Sequence, residues 1–212
     1  TSDHGDMLGD HGLLVKGAFF YDACTRVPLI LRQPGVTAAG LRTPALVQPH
    51  DISATVLAAA GMEAERIRQL MPAAADIRIT AGNEKVGMHA FHQEAVCEYR
   101  QTGIDKTGRY FDPPIDAAMI TDGSWKLNLY YPVPGSPPVR TEEGQLFDLR
   151  EDPGEIIDRW ETESEVRTRM LDRLRQWQTR QELIRPRRAR SAVPERDSLF
   201  DNRLKPAKRG SR

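Results

Sequence analysis

The chain has 212 residues, enough for one large domain or for part of a core with a small second lobe. Thirty Lys and Arg balance thirty Asp and Glu, so the chain lacks the net positive charge that favours nucleic-acid binding. Its apolar runs fall far short of the roughly 18 residues of a membrane-spanning helix, and two cysteines cannot build a disulfide-stapled miniprotein. We therefore expect no nucleic-acid partner and no membrane span. Composition does not indicate the compartment or the oligomeric state.

A polar loop opens the chain at residues 2–16, with the sequence SDHGDMLGDHGLLVK. Its three Asp, two His, three Gly and one Lys are a density of chemical groups that a structural loop seldom needs. Adjacent Asp3 and His4 can reach one metal ion only through an irregular backbone, and Gly5 permits that turn. The aspartates lack EF-hand spacing. The loop is therefore a candidate metal site whose remaining ligands come from other segments.

An apolar run and an Ala-rich helix follow this loop and favour an α/β domain up to about residue 75. Residues 27–31 read as a short buried strand that ends at the turn residues 33–35. Asp51 can cap a helix over residues 52–60 that Gly61 ends. The predicted core face of this helix comprises Ile52, Val56, Leu57 and Ala60.

The next zone, residues 76–184, carries the signals of an α+β lobe. A strand is predicted over 95–99, and the Asp122-Gly123 pair predicts a hairpin between residues 119–121 and 125–131. A further strand is predicted over 145–149 and a helix over about 161–183, with an apolar stripe for packing on the sheet formed by Val166, Met170, Leu174 and Trp177.

The second hairpin strand alternates in polarity. Its apolar side chains occupy one face, and Lys126, Asn128 and Tyr130 occupy the other. Alternation of this kind predicts one buried and one solvated face.

The last 28 residues, 185–212, contain ten Lys and Arg against three Asp and Glu. This composition predicts a basic disordered tail. Two roles are open to it, a solvated tail or an electrostatic tether to an acidic partner.

Several of these segments, in this order, resemble the sulfatases of the alkaline-phosphatase superfamily. The resemblance covers about 1–61 and 88–180 and rests on Thr1 to Gly12 with Lys16, Arg26 to Ile30 with Pro34-Gly35, the D-x-x-x-T-x-L-x-x-A-G pattern from Asp51 to Gly61, Thr121 to Leu127, and Leu146 to Leu149 with Asp152 to Glu155. It implies an α/β fold, the C-terminal part of an alkaline-phosphatase-like sulfatase core in residues 1–75. A small α+β lobe with an antiparallel sheet and a C-terminal helix would follow in residues 76–184.

The resemblance also implies roles for residues of the loop. Asp3 and His4 match the later pair of the family's metal ligands, and Lys16 matches the lysine that contacts the sulfate. These roles suit the chemistry, because a divalent cation polarises the ester oxygens and an ammonium neutralises developing charge. The alternatives are a capped turn for Asp3 and His4 and a solvated side chain for Lys16. His11 and Asp10 either contact substrate or hold the loop.

The family's usual ion is calcium, but the imidazole of His4 suits manganese, zinc or iron better. A second departure is the missing C-x-P-x-R motif, whose cysteine or serine becomes the formylglycine nucleophile. Cys24 is better read as a small buried hydrophobe. A zinc site from His89, His92, Cys97 and Glu98 would fit no common spacing.

The paired aspartates that complete the family's metal site are also absent from the sequence. We therefore expect a C-terminal fragment, inactive alone, with the formylglycine in an N-terminal part that is missing here. The implied function is metal-dependent hydrolysis of a small-molecule or carbohydrate sulfate ester. One alternative is a phosphonate monoester or phosphodiester hydrolase of the same superfamily, and another is a non-catalytic truncated module.

Overall fold

The structure is a computed structural model that describes residues 1–79, 90–100, 116–131 and 143–184. The chain divides into two compact units, Thr1–Arg175 and Gln176–Arg212. The interactions described below all lie in the first unit. The predicted basic tail lies outside the described residues, and the boundary predicted near residue 75 stays a prediction. Among the helices of the described part, none is long and apolar enough to cross a membrane.

The helices precede and follow one four-stranded sheet. They are α1 (Asp22–Thr25), α2 (Pro49–Ala59), α3 (Ala64–Leu70) and α4 (Ser164–Ile184), and a single 3-10 turn covers Asp10–Gly12. The strands are β1 (Ala95–Arg100), β2 (Asp116–Thr121), β3 (Trp125–Tyr130) and β4 (Glu143–Asp148). Neighbouring strands are antiparallel and follow chain order.

Helix α2 begins at Pro49, three residues earlier than predicted, because proline is favoured in the first helical turn. The capping residue is Gln48 and not Asp51 as predicted. Asp51 lies at the third helical position, where its carboxylate accepts the backbone N–H of Gln48 at 2.7 Å and completes a capping box. The predicted core face is wrong. Val56 is 60% exposed, whereas Asp51, Ala54 and Thr55 are buried.

The predicted hairpin is confirmed as β2 and β3. The backbone N–H of Asp122 donates to the carbonyl of Trp125 at 3.2 Å, and Gly123 has a φ of 85°. That left-handed backbone favours glycine, so the turn residues explain the reversal.

One face of the sheet packs against α4 and forms the larger core. Leu127 of β3 lies opposite Leu146 of β4, and both are fully buried. Met170 and Leu174 of the predicted stripe are buried in this core, and Val166 packs against it partly buried. The helix also buries Leu171, which was not among the predicted positions. The amphipathic stripe therefore packs on the sheet at these positions, as period-3.6 spacing predicts.

The other face is buried as well, which corrects the prediction of a solvated face. Lys126 is 1% exposed and Asn128 is fully buried. Phe20 packs there against Ala117 and Met119. Because the N-terminal segment covers this face, the polarity alternation of β3 separates two buried layers instead of core and solvent.

The strand predicted over residues 27–31 does not form. Ile30 is 86% exposed, and Leu29 and Leu31 are each about 40% exposed, at 39% and 41%. A strand needs a neighbour for its backbone hydrogen bonds. No segment of the described part of the chain pairs with this run.

Candidate functional site

Asp3 and His4 lie side by side at the start of the site loop, residues 2–16. Nδ1 of His4 lies 2.8 Å from the carbonyl oxygen of Gly5. In a neutral imidazole, this nitrogen therefore carries the proton and Nε2 keeps its lone pair. His4 Nε2 lies 3.5 Å from Oδ2 of Asp3. Metal-binding histidines commonly donate their other ring N–H to a backbone carbonyl in this way, so the pair fits a shared metal ion.

The Asp3 carboxyl is 85% exposed and free to meet an ion. Hydrogen bonding with its own backbone amide, helped by His4 and Ser2, holds its pKa below the usual value. The carboxylate of Asp3 is thus ionised at neutral pH and offers an oxygen atom of the kind that metal ions bind. No third ligand joins Asp3 and His4 among the described residues.

The site loop folds back on itself, so that a second arm, residues 13–16, returns to a first arm, residues 2–9. The backbone N–H of Gly9 donates to Leu13 O at 2.8 Å, and that of Lys16 donates to a carboxylate oxygen of Asp6 at 2.7 Å. Lys16 is exposed, and its ammonium makes no hydrogen bond or ion pair to the described residues. The loop therefore presents the Asp3–His4 pair and a solvent-facing cation from two bonded arms.

His11 is held by stacking. Its ring lies 3.7 Å from the ring of Tyr21 at an interplanar angle of 14°, and its φ of 48° is unusual for a residue with a side chain. Tyr21 in turn accepts a hydrogen bond from Gln145 of β4 at 3.3 Å. Asp10 accepts the backbone N–H of His11 at 3.1 Å. The structure thus gives Asp10 a loop-holding contact and fixes the plane of the His11 ring.

A second cluster joins His50, Asp51 and His92. Asp51 is fully buried, and His92 Nε2 lies 2.8 and 3.0 Å from its two oxygens. The backbone N–H of Ala75 donates to the same carboxylate at 2.8 Å. Burial opposes ionisation, but the hydrogen bonds from His92, Gln48 and Ala75 outweigh it and lower the pKa of Asp51.

Three potential metal ligands, two imidazoles and one carboxylate, meet in this cluster, yet its hydrogen bonds leave no lone pair for a metal at His50. Gln48 accepts the backbone N–H of Val96 through Oε1 at 2.7 Å, so its amide nitrogen faces His50 Nδ1 at 3.5 Å. His50 Nε2 then carries the proton and donates to Ala73 O at 3.0 Å. The cluster is a hydrogen-bonded connection between α2 and the entry to β1. Of the residues weighed for zinc, His92 contributes to this connection and His89 lies outside the described residues.

A buried charge cluster on the second sheet face was missed by the sequence reading. Lys126 Nζ contacts the carboxylate of Asp22, lies 2.7 Å from Oε1 of Glu155 and donates to Phe20 O at 3.0 Å. Burial raises the pKa of Glu155 against the lowering effect of Lys126. The alternation of polar and apolar residues in β3 predicted a solvent-facing Lys126. Its partners became visible only because the structure places the N-terminal segment with Phe20 and Asp22 over this face.

A cleft of about 500 Å³ opens beside β4. Tyr130, Gly144, Gln145 and Trp160 line it with the carboxylates of Glu143, Asp158 and Glu161. Burial raises the pKa of Tyr130 to about 12, so this phenol stays neutral. Because the cleft gathers negative charge, it suits a sulfate ester poorly, and the site loop remains the candidate.

Cys24 is a buried thiol whose pKa is raised by burial. A thiol in that state is a weak nucleophile. The reading of Cys24 as a small hydrophobe is therefore confirmed.

The chain is similar in sequence to known sulfatases. Residues 9–180 match the family described as N-sulphoglucosamine sulphohydrolase, C-terminal. The uncharacterized sulfatase YidJ of Escherichia coli strain K12 is 31% identical over 156 residues, which is 74% of this chain and 26% of that protein. A choline-sulfatase of Rhizobium meliloti strain 1021 is 30% identical over 155 residues, 73% of this chain and 25% of that protein.

Solved structures share the fold. BT4656, in complex with its substrate D-glucosamine-2-N,6-O-disulfate, superposes with a TM-score of 0.62 at 24% identity, covering 84% of this chain and 33% of that one. A phosphonate monoester hydrolase of Agrobacterium radiobacter gives a TM-score of 0.61 at 22% identity, covering 84% and 34%.

The chain spans about a quarter of the length of the curated relatives it matches. The predicted fold class, the C-terminal part of an alkaline-phosphatase-like sulfatase with an antiparallel sheet and a C-terminal helix, is confirmed. Since the family match covers residues 9–180, the chain belongs to the sulfatase family as a C-terminal sulfatase domain.

Proposed function

We propose that this chain supplies part of the metal and sulfate site of an enzyme that hydrolyses a sulfate ester. The observation that carries the proposal is the His4 ring, whose Nδ1–H bonds Gly5 O and whose Nε2 lies beside the ionised Asp3 carboxylate. That arrangement leaves two ligand atoms available for one ion. Family membership supplies the reaction class.

The ion is a divalent metal that Asp3 and His4 would help to hold. Calcium is the family's usual ion, and the imidazole of His4 favours manganese as the alternative. When bound, such an ion polarises an ester oxygen. The protein's own contribution is to keep the Asp3 carboxylate ionised and the His4 tautomer fixed by Gly5 O.

Lys16 would neutralise charge on the sulfate. A sulfate ester carries one negative charge, and more develops on the bridging oxygen as the sulfur–oxygen bond breaks. A cation held at that oxygen helps most in the transition state. The backbone bond from Lys16 to Asp6 positions the start of this side chain. His11 is a secondary candidate for substrate contact, with its ring plane fixed by Tyr21.

The sequence contains no C-x-P-x-R motif, so none of these 212 residues matches the formylglycine position of the family. We therefore propose that a formylglycine belongs to another part of the same enzyme. The 212-residue chain alone should not turn over an aryl sulfate, with or without added calcium or manganese. Chelator-sensitive turnover by the purified chain would overturn this assignment.

We propose a small-molecule or carbohydrate sulfate ester as the substrate class. A choline-sulfatase is among the relatives, and the matched family is described by a sulphated amino sugar. Relative rates on three kinds of ester would separate small-molecule from carbohydrate substrates. Faster turnover of choline sulfate or an aryl sulfate indicates a small molecule, and faster turnover of glucosamine sulfates indicates a carbohydrate. A higher rate on a phosphodiester than on every sulfate would favour the phosphonate and phosphodiester alternative, which the imidazole ligand of His4 makes chemically reasonable.

Metal content tests the site directly. In the complete enzyme, Asp3→Ala and His4→Ala should each lower both the bound metal and the rate. Mutation of a residue that only supports a metal ligand typically costs about ten- to a hundredfold in metal affinity or activity, so loss of a ligand should cost at least as much. Glu63→Ala is the matched control, an exposed carboxylate outside the site loop whose loss should leave the metal content unchanged. Unchanged metal stoichiometry and affinity in both test variants would remove Asp3 and His4 from the ligand set. A complete enzyme without turnover on any ester would favour the non-catalytic module.

A further inference from the structure

The ammonium of Lys126 is the centre of a buried link between the sheet and the N-terminal segment. It projects from β3 with 1% exposure and contacts Asp22, Glu155 and the carbonyl of Phe20. A buried charge is retained only when paired. Here the pairing partners lie more than a hundred residues earlier in the chain and in the segment after β4.

Glu155 reinforces the same link. One of its oxygens faces Lys126 at 2.7 Å, and the other accepts the backbone N–H of Asp22 at 2.6 Å. Its φ of 55° lies in the left-handed region, which a residue with a side chain occupies only when its surroundings hold it there. Asp22 is thus held at both its backbone and its carboxylate.

Asp22 begins α1, and α1 carries the first arm of the site loop. The backbone N–H of Gly5 donates to Cys24 O at 2.9 Å. A Cβ at Gly5 would lie 1.9 Å from Ala23 O, so the loop approaches α1 as closely as glycine allows. Gly5 is also the residue whose carbonyl fixes the His4 tautomer.

The turn at the tip of the loop, Asp10–Gly12, contacts the same anchor through His11. Tyr21 precedes Asp22 directly and stacks on His11 at 3.7 Å. A shift of Asp22 would therefore move two residues that contact the loop. These are Cys24, which accepts the backbone N–H of Gly5, and Tyr21, which stacks on His11.

We propose that Lys126 is a positioning residue for the site loop, acting through Asp22 and α1 on the Asp3–His4 pair and on His11. The importance of that positioning for catalysis rests on the proposed function of the loop. The path of contacts from Lys126 to the loop does not depend on that function, and it can be tested without an activity assay.

Residue-resolved amide hydrogen exchange on the complete protein provides the test. Amides held by local structure exchange through local opening, whereas core amides exchange through global unfolding. Lys126→Met keeps the length of the side chain and removes the charge. We expect the amides of Gly5 and Asp22 to exchange about tenfold faster or more, because their local opening becomes easier.

Leu174→Ala is the matched control, since Leu174 is fully buried on the opposite sheet face. It should accelerate exchange in β3 and α4 through global destabilisation while leaving Gly5 near its wild-type rate. If Lys126→Met behaves like this control, Lys126 has only a structural role and the proposal is wrong.

Asp22→Asn is the second variant and decides the matter if Lys126→Met does not fold. It removes the charge that faces Lys126 and keeps the side-chain shape. Faster exchange at Gly5, at roughly threefold or more, supports the positioning role, and a Gly5 rate within about twofold of wild type overturns it. A failure to detect metal or sulfatase activity would leave these exchange rates unaffected, so the two proposals fail separately.

Discussion

Lys16 extends into solvent from the second arm of the site loop, and its ammonium has no partner in the described part of the chain. An exposed lysine contributes little to packing. Its removal should therefore change chemistry without changing stability, which makes it a sharp test of the site.

In the complete enzyme, Lys16→Ala should reduce kcat/KM by about 10² to 10³, equivalent to roughly 2.7 to 4 kcal/mol, the usual loss for one preorganised electrostatic contact. Metal content and Tm should stay near wild type. Lys16→Arg should recover only part of the rate, because a planar, delocalised guanidinium is not equivalent to the compact point charge of an ammonium. Steady-state kinetics on a sulfate ester provides the measurement.

Lys208→Ala in the basic C-terminal tail is the control and should match wild type. If Lys16→Ala kept more than about half of the wild-type kcat/KM, an electrostatic contact of that size would be excluded. Lys16 would then be a solvated side chain.

At the scale of the elements, Gly144 shows how β4 fits its surroundings. A Cβ at this position would lie 2.3 Å from the Trp160 ring and 2.4 Å from the carbonyl of Asn128. Trp160 is part of the core that joins the sheet to α4. A glycine here lets the indole lie directly on the strand.

Gly144→Ala should therefore destabilise the chain by about 1–3 kcal/mol, the usual cost of overpacking a tight core. Gly154→Ala is the matched control, because its nearest neighbour would lie at 3.6 Å, an ordinary contact distance. Urea unfolding followed by tryptophan fluorescence would compare them. Equal midpoints for the two variants would show that Trp160 can move aside freely.

At the scale of the whole molecule, Asp51 connects α2, the segment at Ala75 and the entry to β1 through His92. Its folded-state pKa lies below the ordinary value of 3.8. A group of this kind stabilises the fold above its unfolded pKa, and that contribution is lost as pH falls through the lower, folded pKa.

Asp51→Asn should cost about 3 kcal/mol near pH 7, since it removes the buried charge that faces His92 and accepts two partly buried backbone N–H groups. The difference from wild type should shrink as pH falls below about 4, where the wild-type carboxylate begins to protonate in the unfolded chain. Urea unfolding between pH 3 and pH 7 measures both the cost of the substitution near neutral pH and its decrease in acid. Asp10→Asn, a substitution at an exposed position, should keep a stability close to that of wild type at every pH. A cost of Asp51→Asn that does not change with pH would contradict an ionised Asp51 carboxylate in the folded chain.

Local patterns in the sequence were sufficient for several elements. The Asp122-Gly123 turn and the alternation around it predicted the hairpin, because a two-residue turn dictates its own backbone. The 3.6-residue spacing of Met170 and Leu174 predicted the side of α4 that packs on the sheet. The order of the loop and sheet motifs indicated the sulfatase family.

Burial was decided by the tertiary structure, since it depends on what covers each surface. Lys126 alternates like a solvent-facing residue, yet Phe20 and Asp22 from the far end of the chain cover it. Residues 27–31 have strand composition, yet they remain exposed where no described segment pairs with them. Residue type and spacing are local properties, whereas the partner of a buried charge or of a strand lies at a distance that the sequence pattern does not encode.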